Sequence, residues 1–194
     1  MTEDALTSLL AQIRACTLCP LPHGPRPTVQ AGRSARILII GQAPGSAVHA
    51  SGIPWDDPSG DRLREWTGLD KSIFYDPARV AQMPMGFCYP GKGPSADLPP
   101  RPECAPLWHD RLRAHLLEVR LTLLVGHHAQ GRYLPARPKR SMTEAIRAFA
   151  EAPDGIFPLP HPSWRSTIWM RKNPWFECKV LPVLRERVAG ALAD

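Results

Sequence analysis

Short runs of nearly all apolar residues constrain the fold of this chain most: residues 36–41 (RILIIG), 121–126 (LTLLVG) and 156–159 (IFPL). Runs of this length, bounded by turn residues, are strands buried on both faces, and such strands belong to parallel sheets covered by helices. Residues 79–88 read as a further strand, ending at Cys88. Between the runs lie segments with helical signals. Residues 3–15 form an amphipathic stretch, and Ser59 stands where a cap would start a helix over about 60–67, stopped by Gly68. Residues 104–117 and 127–133 read as two more helices. Ser141 and Glu144 have capping-box spacing ahead of a helix over about 142–151, and Val180, Leu184 and Val188 recur at helical spacing near the end. This alternation predicts an α/β fold, a three-layer α/β/α sandwich around a mostly parallel central sheet. In such sheets ligands bind beyond the carboxyl ends of the strands. Gln42, Cys88, His127 and His161 all fall there.

The length of 194 residues predicts one domain over 1–194. The 23 prolines cluster at 20–27, 84–106, 153–162 and 174–182, which makes the loops stiff. With 24 basic and 18 acidic residues, the net charge of +6 favours an anionic partner, and nucleic acid is the commonest for a basic domain. A merely solvated basic surface fits that charge equally well. No apolar run approaches the roughly 20 residues that span a bilayer. Residues 1–15 read as a helix rather than a signal peptide, so the expectation is a cytoplasmic, reducing location, with no membrane and a monomer. In that setting, paired cysteines mean metal or redox chemistry more often than disulfides.

Cys16 and Cys19 form a C-x2-C pair, while Cys88 and Cys104 form a pair split by 15 residues. Four thiolates suit zinc or an iron–sulfur cluster. Zinc ribbons carry two tight pairs, so the split second pair fits a cluster held by loop ends. Cys178 has no partner at such spacing and is expected to pack on the face of the C-terminal helix. The loop Gly41-Gln42-Ala43-Pro44-Gly45 follows a buried strand, yet it lacks the Lys-Ser/Thr of a P-loop and the third glycine of a dinucleotide fingerprint. Its terminal glycines permit close approach of a flat ligand to the backbone. A plain strand-to-helix turn has the same appearance.

Together with His161-Pro162-Ser163, these elements make the chain resemble the uracil-DNA glycosylase superfamily, closest to its iron–sulfur group, family 4. The matching positions are Cys16 and Cys19, residues 41–45, Gly52-Ile53-Pro54-Trp55, Cys88 and Cys104, and residues 161–163. The resemblance implies a DNA glycosylase of base-excision repair that flips a damaged base into a pocket and hydrolyses its N-glycosidic bond. It implies a 4Fe–4S cluster on the four cysteines, with zinc as the alternative. His161 matches the histidine that stabilises the departing base, and Trp55 stands where the family has a stacking Phe. Gly41, Ala43, Pro44 and Gly45 would line the base pocket, with Ser163 and Arg165 on DNA phosphates. Arg165, Arg171 and Lys172 interleave with Trp164, Ile168, Trp169 and Met170, a mix suited to pinching and wedging DNA.

The chain departs from the family pattern at two places. Gln42 replaces the family 4 glutamate, and Ala43 leaves no acid in the loop, so Gln42 is expected to orient water rather than act as a base. The candidates for activating water are then His49, Asp56 and Asp57, with His49 favoured and Asp57 instead a candidate cap for the helix at Ser59. The run Met83-Pro84-Met85-Gly86-Phe87-Cys88 also lacks the family Asn that pairs with the uracil edge. That loss widens the candidate substrates to modified pyrimidines and deaminated purines. A non-catalytic iron–sulfur relative that binds DNA or a damaged base is the competing reading, and a zinc-stapled domain handling a small nucleotide is a third.

Overall fold

The computed structural model describes residues 3–134 and 141–193. Strands β1 (Ile37–Ile40), β2 (Val80–Gln82), β3 (Leu121–Val125) and β4 (Ile156–Leu159) form one parallel sheet in the order β2-β1-β3-β4. Ile37 pairs with Val80 on one side and Leu121 on the other, and Val125 pairs with Leu159. Successive strand residues point to opposite faces. Leu38, Ile40 and Leu124 therefore enter one core, and Ile37, Ile39, Leu123, Val125 and Phe157 enter the other.

Helices cover both faces. Helix α1 (Glu3–Arg14) turns Leu6, Leu9, Leu10 and Ile13, one helical stripe, onto the first core. After α2 (Ser46–Ser51), α3 (Pro58–Thr67) and α4 (Lys71–Phe74), helix α5 (Cys104–Arg113) joins α1 there through Trp108 and Leu112. Helices α6 (His127–Tyr133), α7 (Met142–Arg147) and α8 (Trp164–Lys172) follow. A π-helical stretch (Phe176–Val180) then leads into α9 (Leu181–Leu192). Leu63 and Trp66 of α3, Phe176, and Leu184 and Val188 of α9 close the second core. The fold is the expected three-layer α/β/α sandwich, and among the described residues its sheet is wholly parallel. No described helix is long and apolar enough to cross a membrane.

Several boundaries differ from expectation for identifiable reasons. Strand β2 stops at Gln82, not at Cys88: Met83 N and Met85 N still donate to Ile39 O and Gly41 O at 2.9 Å, but the chain between them passes through Pro84 and leaves the regular strand. Helix α3 starts at Pro58 and takes the alternative cap, Asp57, whose Oδ1 accepts from the Gly60 amide at 2.8 Å; Ser59 already lies inside it. Pro58 at the first turn has its φ preset for a helix. Helix α5 ends at Arg113, and α7 ends at Arg147 before a 3₁₀ turn at Phe149–Glu151. The loop after β1 contains α2, and α4 and α8 had no expected counterpart. Cys178 is exposed on the π-helical stretch instead of packing on the C-terminal helix.

Candidate functional site

The chain runs from β1 outward to β2 on one side and to β3 on the other, so the carboxyl end of β1 is a topological switch point. The crevice at such a point is where open α/β sheets bind ligands. A pocket of about 500 Å³ opens there, within the range of small-ligand sites. All five residues of the Gly41–Gly45 loop line it, with Trp55, His161, Ser163 and Arg165. The structure thus gathers residues far apart in sequence around one cavity.

Trp55 lies against the loop. A Cβ on Gly41 would fall 2.6 Å from Cζ2 of the indole, so only glycine lets the ring sit there. Trp55 adopts φ +59°, an unusual conformation for a bulky residue, and its carbonyl accepts from the Tyr75 hydroxyl at 3.2 Å. Its ring is 6.1 Å from that of His161, tilted by 36°.

His161 follows β4. Its carbonyl accepts from the Ser163 amide at 2.9 Å and from the Ser166 hydroxyl, which tightens the turn into α8. Gly126, at φ +85°, backs the imidazole; a Cβ there would sit 3.5 Å from the His161 Cβ. Desolvation lowers the His161 pKa, and His127 adds to this, while Asp57 and Asp97 pull the other way. At neutral pH the ring is therefore neutral and carries one N–H to donate.

Of His49, Asp56 and Asp57, only Asp57 lines the pocket. His49, on α2, packs its ring with Tyr89 at 5.9 Å and His23 at 6.1 Å, and Asp56 is exposed. Asp57 is held by its cap bond through Oδ1, and its Oδ2 lies 3.8 Å from where a Gly45 Cβ would be. Asp97 brings its Oδ2 within 3.7 Å of the same point. Two carboxylates therefore converge over Gly45, facing His161. Asp97 escaped the sequence reading because it sits in a Pro-rich loop with no motif. A small turn brings it in: Leu98 N donates to Gly91 O at 2.9 Å, and Gly93 N donates to Ala96 O at 2.7 Å.

The rim is basic and partly apolar. Lys92 and Arg165 line the pocket, and Arg165 donates to the Ser95 carbonyl at 2.8 Å while lying over the Trp164 ring. Trp164 is 69% exposed and Ile168 51%, unusual for such large apolar side chains. Ser163 occupies the N-cap of α8, but its hydroxyl makes no cap bond. Its carbonyl accepts from Arg62 of α3.

The four paired cysteines come together at a second, smaller cavity bordered by Pro25 and Pro27. Cys16, Cys19, Cys88 and Cys104 line one small cavity, walled by Ile13, Phe87 and Trp108. Burial pushes the Cys88 thiol up to about 11, and it raises Cys104 too. Donors are aimed at the sulfurs: the Arg26 amide at Cys88, the Phe87 amide at Cys104, and the Arg101 side chain at Cys19. Among the described residues no three His, Cys, Asp or Glu side chains are gathered tightly enough to hold one metal ion. A single zinc would draw all four sulfurs to about 2.3 Å from one centre, whereas a cluster spreads them over separate irons.

The family model described as the uracil DNA glycosylase superfamily matches residues 29–185, most of the chain, and the chain belongs to that superfamily.

Proposed function

We propose that this superfamily member is a DNA glycosylase of the iron–sulfur type, acting on uracil or a related deaminated or modified base. The observation that carries the reading is the meeting of His161, Trp55, the Gly41–Gly45 loop and two carboxylates in one pocket at the switch point. DNA would lie on the basic, aromatic rim, with a phosphate on the Ser163 hydroxyl and the amino end of α8. The exposed Trp164 and Ile168 would fill the stack vacated by the flipped base. The flipped base enters beside Trp55. Its N-glycosidic bond breaks with the electron pair leaving on the base, and the neutral His161 donates a hydrogen bond to the developing oxyanion. Water adds to the sugar carbon and gives its proton to Asp57, whose free Oδ2 faces the pocket, with Asp97 beside it. That proton passes on to the departed base, leaving a free base and an abasic sugar. Gln42, which cannot accept the proton as a carboxylate would, is left to orient the water or the base.

Cys16, Cys19, Cys88 and Cys104 would hold the cluster, with the aimed amides and Arg101 offsetting its negative charge. When bound, a 4Fe–4S cluster would supply four iron–sulfur bonds that tie the N-terminal loop to the loop after β2 and to the start of α5. Zinc is the alternative. The protein would act as a single domain and a monomer in the cytoplasm.

The test is a panel of oligonucleotides carrying uracil, hypoxanthine, xanthine or hydroxymethyluracil, treated with purified holoprotein and then with alkali to reveal abasic sites. Cleavage that disappears in His161→Ala is expected; a panel left wholly intact refutes the reading. Gln42 and the absence of the family Asn from Met83–Cys88 favour one competitor, a non-catalytic binder of damaged DNA. It would show salt-dependent DNA binding with no abasic product.

A further inference from the structure

Thr28 is a buried polar residue that the reaction above leaves without a task. It lines the pocket and is only 3% exposed; its Oγ1 has no hydrogen-bond partner and is shielded from solvent, so a base meets it by a turn about χ1. Of the described buried side-chain atoms that lack a partner, it alone belongs to a residue of the pocket wall.

Its position is fixed by the backbone. Gln30 and Gln82 exchange amide–carbonyl bonds at 3.1 and 2.7 Å, and the Thr28 amide donates to the Phe87 carbonyl at 2.8 Å. Residues 28–30 are thereby laid antiparallel to 82–87, the stretch that contains Pro84. Pro84 also lines the pocket but offers no side-chain donor or acceptor, and its carbonyl already accepts from His109 Nε2 at 3.0 Å. The pocket wall thus has a proline with no side-chain polar group at Pro84 and a spare hydroxyl at Thr28, on the segment that pairs beside it. A buried hydroxyl without a partner is rare in folded proteins and is retained where a ligand completes it.

We infer that Thr28 reads the flipped base, its hydroxyl hydrogen-bonding the polar edge of the base alongside the Gln42 amide. A hydroxyl both donates and accepts and turns about one bond, and an amide offers one of each. Together they match a carbonyl beside a ring N–H, the edge shared by uracil, hydroxymethyluracil, hypoxanthine and xanthine. The substrate class is then defined by that lactam edge rather than by ring size.

This inference rests on the base-flipping reading, and the two are separated by measuring binding apart from excision. Thr28→Val and Thr28→Ser holoproteins are titrated with duplexes carrying the uncleavable 2′-fluoro-2′-deoxyuridine or a tetrahydrofuran abasic analogue. Thr28→Val is expected to bind the fluorouridine duplex about tenfold more weakly, as for one lost hydrogen bond, and the abasic duplex within about twofold of wild type. Thr28→Ser is expected to keep both affinities. Thr28→Val should also melt no lower than wild type, since the orphaned hydroxyl is gone. Unchanged fluorouridine affinity in Thr28→Val, an equal loss on both duplexes, or a lower melting temperature overturns the assignment. So does a wild-type protein with no preference for fluorouridine over the abasic analogue, even if it excises uracil. Thr28-dependent binding with no base release from ordinary deoxyuridine upholds Thr28 as the reader and refutes the glycosylase.

Discussion

Gly41→Ala tests whether the pocket depends on the fit of Trp55 against the loop. The added carbon would lie 2.6 Å from Cζ2, about 1 Å inside the carbon–carbon contact distance of roughly 3.5–4.0 Å. The indole has little room to yield, since Trp55 is set at φ +59° and its carbonyl is tied to the Tyr75 hydroxyl. Overpacking of this kind costs about 1–3 kcal/mol, or a fall in Tm of about 2–4 °C per kcal/mol for a chain of this size. A shift of about 1 Å in a group that positions the substrate lowers excision about a hundredfold. Trp55→Phe removes the outer ring that carries Cζ2, so Gly41→Ala should be nearly free in that background. Thermal melts and single-turnover excision on the four proteins of the cycle give the coupling, expected at about 1–3 kcal/mol in both readouts. If Gly41→Ala costs the same with Trp or Phe at position 55, the contact does not organise the pocket and the reasoning fails.

Asp57→Asn keeps the cap of α3, since Asn caps as well as Asp, but removes the base; Tm should stay within about 2 °C while excision falls about 10²–10⁴-fold. A variant that keeps wild-type turnover would clear Asp57 of that role. His109 is fully buried, donating from Nε2 to the Pro84 carbonyl and accepting at Nδ1 from the Tyr133 hydroxyl at 2.6 Å. Burial depresses its pKa from 6.5 to about 4, so the unfolded chain takes up the proton first. The stability tied to the neutral ring is complete above pH 6.5 and is lost as pH falls to about 4. The loss is on the order of 3 kcal/mol, at about 1.36 kcal/mol per unit. Denaturant melts of His109→Gln across that window should lack this part of the slope; an unchanged slope would place the titration elsewhere. Cys104→Ser should purify without the brown colour and with far less iron than the roughly four atoms per chain of a 4Fe–4S protein. Full iron loading in that variant would remove Cys104 from the ligand set.

The sheet and its two covers were legible because burial on both faces leaves a run of apolar residues with no alternation to misread, as in Ile37–Ile40. Helix starts were less legible. Asp57 and Ser59 are both good caps, and only the bond from Gly60 N to Asp57 settles which one acts. The end of β2 lies earlier than expected because Met83–Cys88, though nearly all apolar, leaves the regular strand after Gln82 while keeping single bonds to the β1 edge from Met83 N and Met85 N.

The sequence by itself determined the α/β class, and it named the cysteine set and the two loops as candidates, through residue types and spacings that each carry a local physical requirement. It could not decide which polar groups face the pocket, because that depends on how segments distant in the chain are laid side by side. His49 follows the Gly41 loop closely in sequence, yet it turns with α2 to pack on Tyr89 and His23. Asp97 lies 52 positions after Gly45 and is folded back onto it by a turn within a Pro-rich loop. Thr28 precedes every recognisable motif of the pocket and reaches it only because residues 28–30 pair antiparallel to the chain leaving β2. Local chemistry named the loops, and the packing of remote backbone chose the side chains that work between them.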